Sequence, residues 1–457
     1  MQTLSRDRLF PVAPERRLSW RALAGALHGN ALAAFPEEAF REDVVVQNFL
    51  GRRHLLLQCP EAIRHVLVDN PQNYLRSSAA TRVLRPMFGG GLFFAAGEEW
   101  RRQRREVAPA FAPRAVRMLA GHVVTAADRL AEQLGALGGE PMNLIPVFQR
   151  LALDIIGSTI FSLDMQNYGF ELRELILRYA ARLGRPSLAD FLLPLGVMTP
   201  SDVGRLYFRR RWRRLIDRII ADRHARPSED APRDLFDILG ADDPGCGAAA
   251  ERLGDQLATI VVAGHETTAA AMFWTMYLLA QHPEEQEKVA AEAASFSLSL
   301  EDAAETLPLL THTRAVVDES LRLYPPAFVI VRQAIENDLA DNVPVKKGSL
   351  VLIAPWVLHR HRRFWSAPER FEPARFLPGA PQPSRFAYMP FGAGPRTCIG
   401  SPFALTELVL VVARLVCGFR VGLASDRRVT PVGLVTIQPA SPPVFRLTPR
   451  GFDQDGG

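Results

Sequence analysis

A cysteine ends the turn Phe391-Gly-Ala-Gly-Pro-Arg-Thr-Cys398-Ile-Gly400, and the run from Ser401 to Val416 that follows reads as a buried helix. Gly392 and Gly394 permit positive φ, so backbone N–H groups can curl toward a sulfur. The amino end of a helix adds positive potential and favours thiolate over thiol. Arg396 supplies a fixed cation for an acidic ligand, and Gly400 keeps side chains away from a flat one. These are the requirements of a thiolate that holds a metal at the edge of a large planar cofactor. A lone cysteine at a helix start is ordinarily a small buried hydrophobe. Phe391, Gly394, Arg396, Cys398 and Gly400 at fixed offsets make a far more specific pattern.

Two further constellations carry chemistry. Within the apolar helix read over Glu251 to Gln281, the run Ala263-Gly-His-Glu-Thr-Thr268 inserts a glycine, an acid and an alcohol. Gly264 weakens a helix by about 1 kcal/mol relative to alanine. The Thr267 hydroxyl can reach the Ala263 carbonyl four residues back. Burying Glu266 raises its pKa unless a partner or water reaches it. The run therefore predicts a groove with a proton path, against the plainer reading of a kinked core helix with a solvated glutamate. His265-Glu266 begins an HExxH zinc motif, but Ala269 stands where the second histidine is needed. Glu319-Ser-Leu-Arg322 puts opposite charges three apart on one helical face, and Leu321, Leu323 and Tyr324 give it an apolar setting.

The decapeptide around Cys398 resembles the heme-binding loop of the cytochrome P-450 (heme-thiolate monooxygenase) family, soluble bacterial type. The resemblance runs from about residue 40 to the carboxyl end, with five family motifs in the family's order. It implies a mainly α fold, a large triangular helical domain with a small β-sheet region. It implies one domain over 1–457, with 1–40 as an extension and 450–457 as a loose tail. Cys398 would be the axial ligand of heme b iron, with Phe391, Gly392, Gly400 and Ala263 against the macrocycle. Trp100 and Arg104 match the family's WxxxR, and with Arg332 and Arg396 would hold the propionates. Thr267 would hydrogen-bond the oxygen being activated, and Glu266 would relay protons. Glu319, Arg322 and Arg370, the last in Pro368-Glu-Arg-Phe371, would form a buried structural network. Val83, Leu84, Phe88, Val261, Gly264, Thr268, Phe328, Val329, Leu434 and Val435 would line a substrate pocket, and nearly all are apolar.

The implied reaction uses O2 and two electrons to hydroxylate or epoxidise a hydrophobic small molecule of terpenoid, fatty-acid or steroid type. The electrons would come ultimately from NAD(P)H through a separate ferredoxin or flavodoxin with its reductase. A peroxide-driven peroxygenase usually replaces the acid–alcohol pair, which is intact here. A heme sensor or carrier would need neither Glu266-Thr267 nor a pocket.

The rest of the chain must position these groups. Apolar residues make up 48% of the 457 residues and charged ones 23%, an ordinary globular balance. Cys59, Cys246, Cys398 and Cys417 lie far apart with no CxxC, which argues against zinc and disulfides and fits a reducing compartment. With charges throughout the first seventeen residues and no long apolar run, a cytoplasmic chain without signal peptide or transmembrane anchor is expected. Net charge is +5, with arginine concentrated at 101–105 and 205–226. No aromatic interleaving accompanies these clusters, so nucleic acid is not expected; Arg102 and Arg105 are candidates for docking an acidic redox partner.

The element order reads as a hairpin over 44–58 turning near Gly51, a short helix from Pro60, and an irregular loop over 76–96 with Gly89-Gly-Gly91. Helices follow over 98–137 with a break at Pro109–Pro113, over 143–162, and within 169–226. A linker over 228–249 precedes the long apolar helix, and another helix covers 311–323. Strands near 329–353 and a strand-like tail complete the chain. Amino- and carboxyl-terminal strands are expected to pair.

Overall fold

The computed structural model describes residues 13–451 apart from 16, 50, 164, 226–233, 241–246 and 426–427. The extreme ends of the expected extension and tail, and most of the expected linker, lie outside the described residues. Helices dominate, with one five-stranded sheet and three strand pairs among the described residues.

The sheet runs in the order Val44–Phe49, Arg52–Leu57, Leu350–Ile353, Ile330–Ala334, Tyr74–Leu75. Gly51, at φ 72°, turns the first hairpin where expected. Leu56 pairs with Leu352 in parallel, which stitches chain near the amino end to chain nearly three hundred residues on. The strands after residue 418 do not join this sheet. Phe419–Leu423 pairs with Phe445–Pro449, and Pro431–Gly433 with Ile437–Pro439. The described part of the expected extension is tied to the fold. Ser19 caps the helix Trp20–Gly29, and Asn30 donates to the Pro431 carbonyl at 3.0 Å and accepts from the Gly433 amide at 2.9 Å.

The central helix, Gly247–Gln281, packs against Leu144–Ile156. Trp274 anchors it: the ring stacks on Tyr324 at 3.9 Å, and Nε1 donates to the Ile437 carbonyl at 2.9 Å. Ser401–Gly418 packs on Pro113–Ala136 and Pro283–Ala294. Leu144–Phe161 and Ser401–Gly418 are long and apolar enough to cross a membrane, contrary to the expectation of no such run. Here they are core helices, with 67% and 56% of those residues buried. A helix buried on most faces approaches the composition of a membrane span.

The expected loop over 76–96 contains a helix, Ser78–Phe88, capped by the Ser77 hydroxyl. The glycines that suggested a loop form only its exit. At φ 62°, Gly89 lies so close to Asp255 that a β-carbon would come within 2.2 Å of the carboxylate. The loop is therefore clamped to the central helix.

Candidate functional site

Gly392 and Gly394 take φ 73° and 75°, and a β-carbon on Gly394 would lie 2.1 Å from the Leu67 carbonyl oxygen. Only glycine fits there. The turn is closed by the Cys398 amide, which donates to the Phe391 carbonyl at 2.9 Å, and by the Thr397 hydroxyl on the same oxygen at 3.3 Å. Burial pushes the Cys398 thiol up, while the amides of Gly400 and Ser401 and the Arg104 charge pull it down. A metal cation at the sulfur would decide that contest, since a coordinating thiol is deprotonated outright. Cys398 is solvent-accessible. Gly400 leaves open the direction from which a side chain would crowd the sulfur, its β-carbon position being 4.0 Å from Sγ.

Ala263 is exposed in the middle of a largely buried helix. Thr267, one turn on and on the same face, donates its hydroxyl to the Ala263 carbonyl at 2.5 Å. The helix is continuous through this bond. Gly264 has a different task from the pocket-lining one expected. Its β-carbon position is 3.3 Å from Ile156 Cδ1, so it allows close approach of the helix Leu144–Ile156.

Arg76, Arg332 and Arg396 converge closely enough to depress one another. Burial, then Arg332 and Arg396, hold Arg76 well below the usual guanidinium range, and burial with Arg396 brings Arg332 to about 10. Arg76 lies 3.6 Å over the Phe93 ring and donates to the Phe93 carbonyl at 2.7 Å. Arg396 lies 4.8 Å over the Trp100 ring and donates to the Ala95 carbonyl at 2.9 Å. Arg104 donates to the Thr397 carbonyl at 3.0 Å, beside Cys398. Among the described residues none of these four arginines forms an ion pair with a carboxylate. Sequestered cations without counter-charge are costly, and an acidic ligand offsets that cost. A thiolate donor, a face without side chains at Ala263 and Gly400, and this guanidinium cluster fit a heme with its propionates. Arg76 belongs to no motif spacing; only the tertiary structure brings it here.

Glu266 lies three residues on from Ala263 in the same helix. Burial pushes its carboxyl up, and it accepts from Gln438 Nε2 at 2.8 Å and Gln149 Nε2 at 3.4 Å. Arg173 Nε in turn donates to Gln149 Oε1 at 3.1 Å. Sequence reading did not single out these two glutamines. His265 is fully buried, and desolvation with the nearby Arg173 charge lowers it to about 4. Amide donors favour a carboxylate, so Gln438→Leu is expected to raise the Glu266 pKa further. The alkaline limb of product coupling, set by loss of that proton, should then move to higher pH, checked by product formed per NAD(P)H across a pH series.

The structural network departs from the expected set at one member. Glu319 and Arg322 are wholly buried and joined by two bonds of 2.7 and 2.8 Å. Arg370 gives only its carbonyl, to Arg322 Nη2 at 2.9 Å, and its side chain is exposed. The guanidinium that reaches Glu319 is that of Arg375, at 3.6 Å, which also pairs with Glu372 at 2.7 Å. The literal Pro-Glu-Arg-Phe at 368–371 is thus the wrong one of two similar stretches. The tight turn Pro373–Phe376 brings its arginine inward. Arg375→Ala should cost about 1.5–3 kcal/mol and Arg370→Ala within about 0.5 kcal/mol, measured by urea unfolding.

Of the expected pocket residues, Val261 is completely buried in helix packing, and Phe88 and Phe328 are also part of the apolar core. Val83 is buried, and its carbonyl accepts from the Tyr179 hydroxyl. Thr268 is buried as well. Leu84, Val329 and Leu434 are half-buried, and Val435 is exposed.

A family model described as Cytochrome P450 matches residues 29–441. Among curated relatives, the Arabidopsis thaliana protein LUTEIN DEFICIENT 5, chloroplastic, is 32% identical over 82% of this chain and 67% of its own length. Cyclooctat-9-en-7-ol 5-monooxygenase of Streptomyces melanosporofaciens is 32% identical over 82% of both chains. A solved cytochrome P450 superposes with TM-score 0.80 at 24% identity, covering 96% of this chain and 99% of its own, and shows the same fold. Since the family match covers residues 29–441, including Cys398, Ala263 and Thr267, this chain belongs to the cytochrome P450 family and is a monooxygenase.

Proposed function

We propose that this P450 oxidises a hydrophobic small molecule of terpenoid, fatty-acid or steroid type, with electrons from NAD(P)H delivered by a separate ferredoxin or flavodoxin system. The observation that carries the reading is an accessible Cys398 beside Arg104, with the guanidiniums of Arg76, Arg332 and Arg396 gathered without a carboxylate partner among the described residues. Bound there, heme b supplies O2 activation and transfer of one oxygen atom. The chain supplies the rest. Cys398 holds the iron, and Arg76, Arg104, Arg332 and Arg396 hold the propionates. Thr267 would hydrogen-bond the oxygen being activated, and Glu266, whose carboxyl burial pushes up, would relay protons from solvent while Gln149 and Gln438 hold it in place. Glu319, Arg322 and Arg375 fix the segment that leads into the thiolate loop.

The apolar composition of the half-buried wall supports a hydrophobic substrate. Two Streptomyces melanosporofaciens relatives are named for cyclooctatin chemistry, which supports the terpenoid member of that class. A basic face would receive the redox partner. On it Arg105 is exposed, whereas Arg102 is already paired with Glu99 at 2.7 Å, so Arg105 is the stronger contributor. We place the protein in the cytoplasm as one domain.

Screening terpenes, fatty acids and steroids for a blue shift of the Soret band tests the substrate class; a panel of apolar ligands with no shift, beside a polar one that shifts, would sink it. Thr267→Ala is expected to keep that binding shift while diverting most reducing equivalents to hydrogen peroxide, measured as peroxide per NAD(P)H. Equal turnover with peroxide alone and with surrogate redox proteins would favour the peroxygenase reading.

A further inference from the structure

Asn30 belongs to no motif, yet its carboxamide is spent on the strand pair of Pro431–Gly433 with Ile437–Pro439. Nδ2 donates to the Pro431 carbonyl at 3.0 Å, and Oδ1 accepts from the Gly433 amide at 2.9 Å. Between those two residues stands Val432, whose partner across the pair is Gln438. In an antiparallel pair the backbone groups of alternate residues point outward, so Asn30 meets the outer edge as a third strand would. Asn30 is itself fixed twice. Its amide donates to the Ala26 carbonyl at 2.7 Å, and Oδ1 also accepts from the Leu32 amide at 3.1 Å. Buried Leu32 closes the same edge, because a β-carbon on Gly433 would meet its Cδ2 at 2.9 Å.

The same rung reaches the central helix. Gln438 Nε2 donates to Glu266 Oε1 at 2.8 Å and to Thr436 Oγ1 at 3.0 Å. Next to it, the Ile437 carbonyl accepts from Trp274 Nε1 at 2.9 Å. Also at the Glu266 carboxyl are Gln149 Nε2 at 3.4 Å, backed by Arg173 from the helix Gly169–Arg178, and His265 Nδ1 at 3.9 Å. Gln438 makes the shorter of the two amide bonds, so its placement weighs most on the carboxyl. An isolated two-stranded pair is marginally stable. This one keeps its place through the groups that grip it, Trp274 on one side and Asn30 on the other.

We infer that Asn30 is a positioning residue for proton delivery: by fixing the rung that carries Gln438, it holds the Glu266 carboxyl in place and sets how many reducing equivalents end in product. The inference rests on the proposed proton-relay role of Glu266.

The test uses the full heme-loaded protein. Asn30→Ala removes both bonds to the strand, and amide hydrogen exchange over residues 432–438 is expected to quicken about tenfold. The alkaline limb of product formed per NAD(P)H should move to higher pH by about 0.5–1 unit, the direction given by loss of an amide donor to a carboxylate. Gln438→Leu should move it alike. Adding Asn30→Ala to Gln438→Leu should move it no further, because both act through one bond. If Asn30→Ala misfolds, Asn30→Asp carries the test: it keeps the acceptor for Leu32 and Gly433, loses the donor to Pro431, and should give a smaller shift of the same sign. A wild-type pH profile in the Asn30 variant, or shifts that add in the double variant, would overturn the inference. Glu266→Gln tells the two possible failures apart. If the relay reading is at fault, that variant couples like wild type; if only the Asn30 link is at fault, it uncouples while Asn30→Ala does not.

Discussion

Cys398→Ser is expected to abolish the long-wavelength absorbance band of the reduced carbon monoxide complex and reduce monooxygenation to background. Serine keeps the turn, because the bond closing it comes from the residue 398 backbone amide to Phe391. What it removes is a polarisable donor that ionises near a cation. The Gly400 and Ser401 amides and the Arg104 charge already favour the thiolate, and a serine hydroxyl lies too far above that range to ionise under the same influences. Cys59→Ser and Cys417→Ser serve as controls and should leave the band in place. Cys59 is bonded to Glu61 at 3.0 Å, and burial with that bond pushes it to about 11. An unchanged band in Cys398→Ser would remove the basis of the functional reading.

Arg322→Ala should be the most destabilising single substitution outside the thiolate loop, by about 3–5 kcal/mol. Arg322 makes five hydrogen bonds, two to Glu319 and one each to the His359, Pro368 and Arg370 carbonyls. Truncation leaves Glu319 as an uncompensated buried carboxylate, with only the Glu372 amide at 2.8 Å and the Arg375 guanidinium at 3.6 Å nearby. Arg322→Lys keeps the charge but not the planar fork, so it should recover only part of the loss. Urea unfolding measures the cost. Heme retention provides a second readout, because the segment that Arg322 pins leads directly to the thiolate loop. A variant as stable as wild type would show that the five bonds contribute nothing net.

Both expectations were legible in the sequence because each rests on short-range geometry. A cysteine three residues before a helix, a threonine four after an alanine, and a glutamate three before an arginine are placed by turn and helix periodicity alone. The hairpin around Gly51, the helix over 311–323 and the break after Pro109 were legible for the same reason.

Other features depend on contacts between residues far apart in the chain, which local periodicity cannot encode. The glycines at 89–91 read as a loop because nothing local announces that Asp255 lies 2.2 Å from where a side chain would begin. Arg370 and Arg375 sit in nearly identical Pro-x-x-Phe and Pro-x-Arg-Phe contexts, and only packing turns the second inward. Gln149 and Gln438, 117 and 172 residues from Glu266, carry no motif. Arg76 joins Arg332 and Arg396 only because Tyr74 pairs with Ala334 at the edge of the sheet. The sequence by itself determined the cysteine in its glycine turn, the acid–alcohol pair and the Glu319–Arg322 bond. The tertiary structure alone decided which distant side chains surround them, because burial makes each unpaired charge or amide depend on partners that folding brings together.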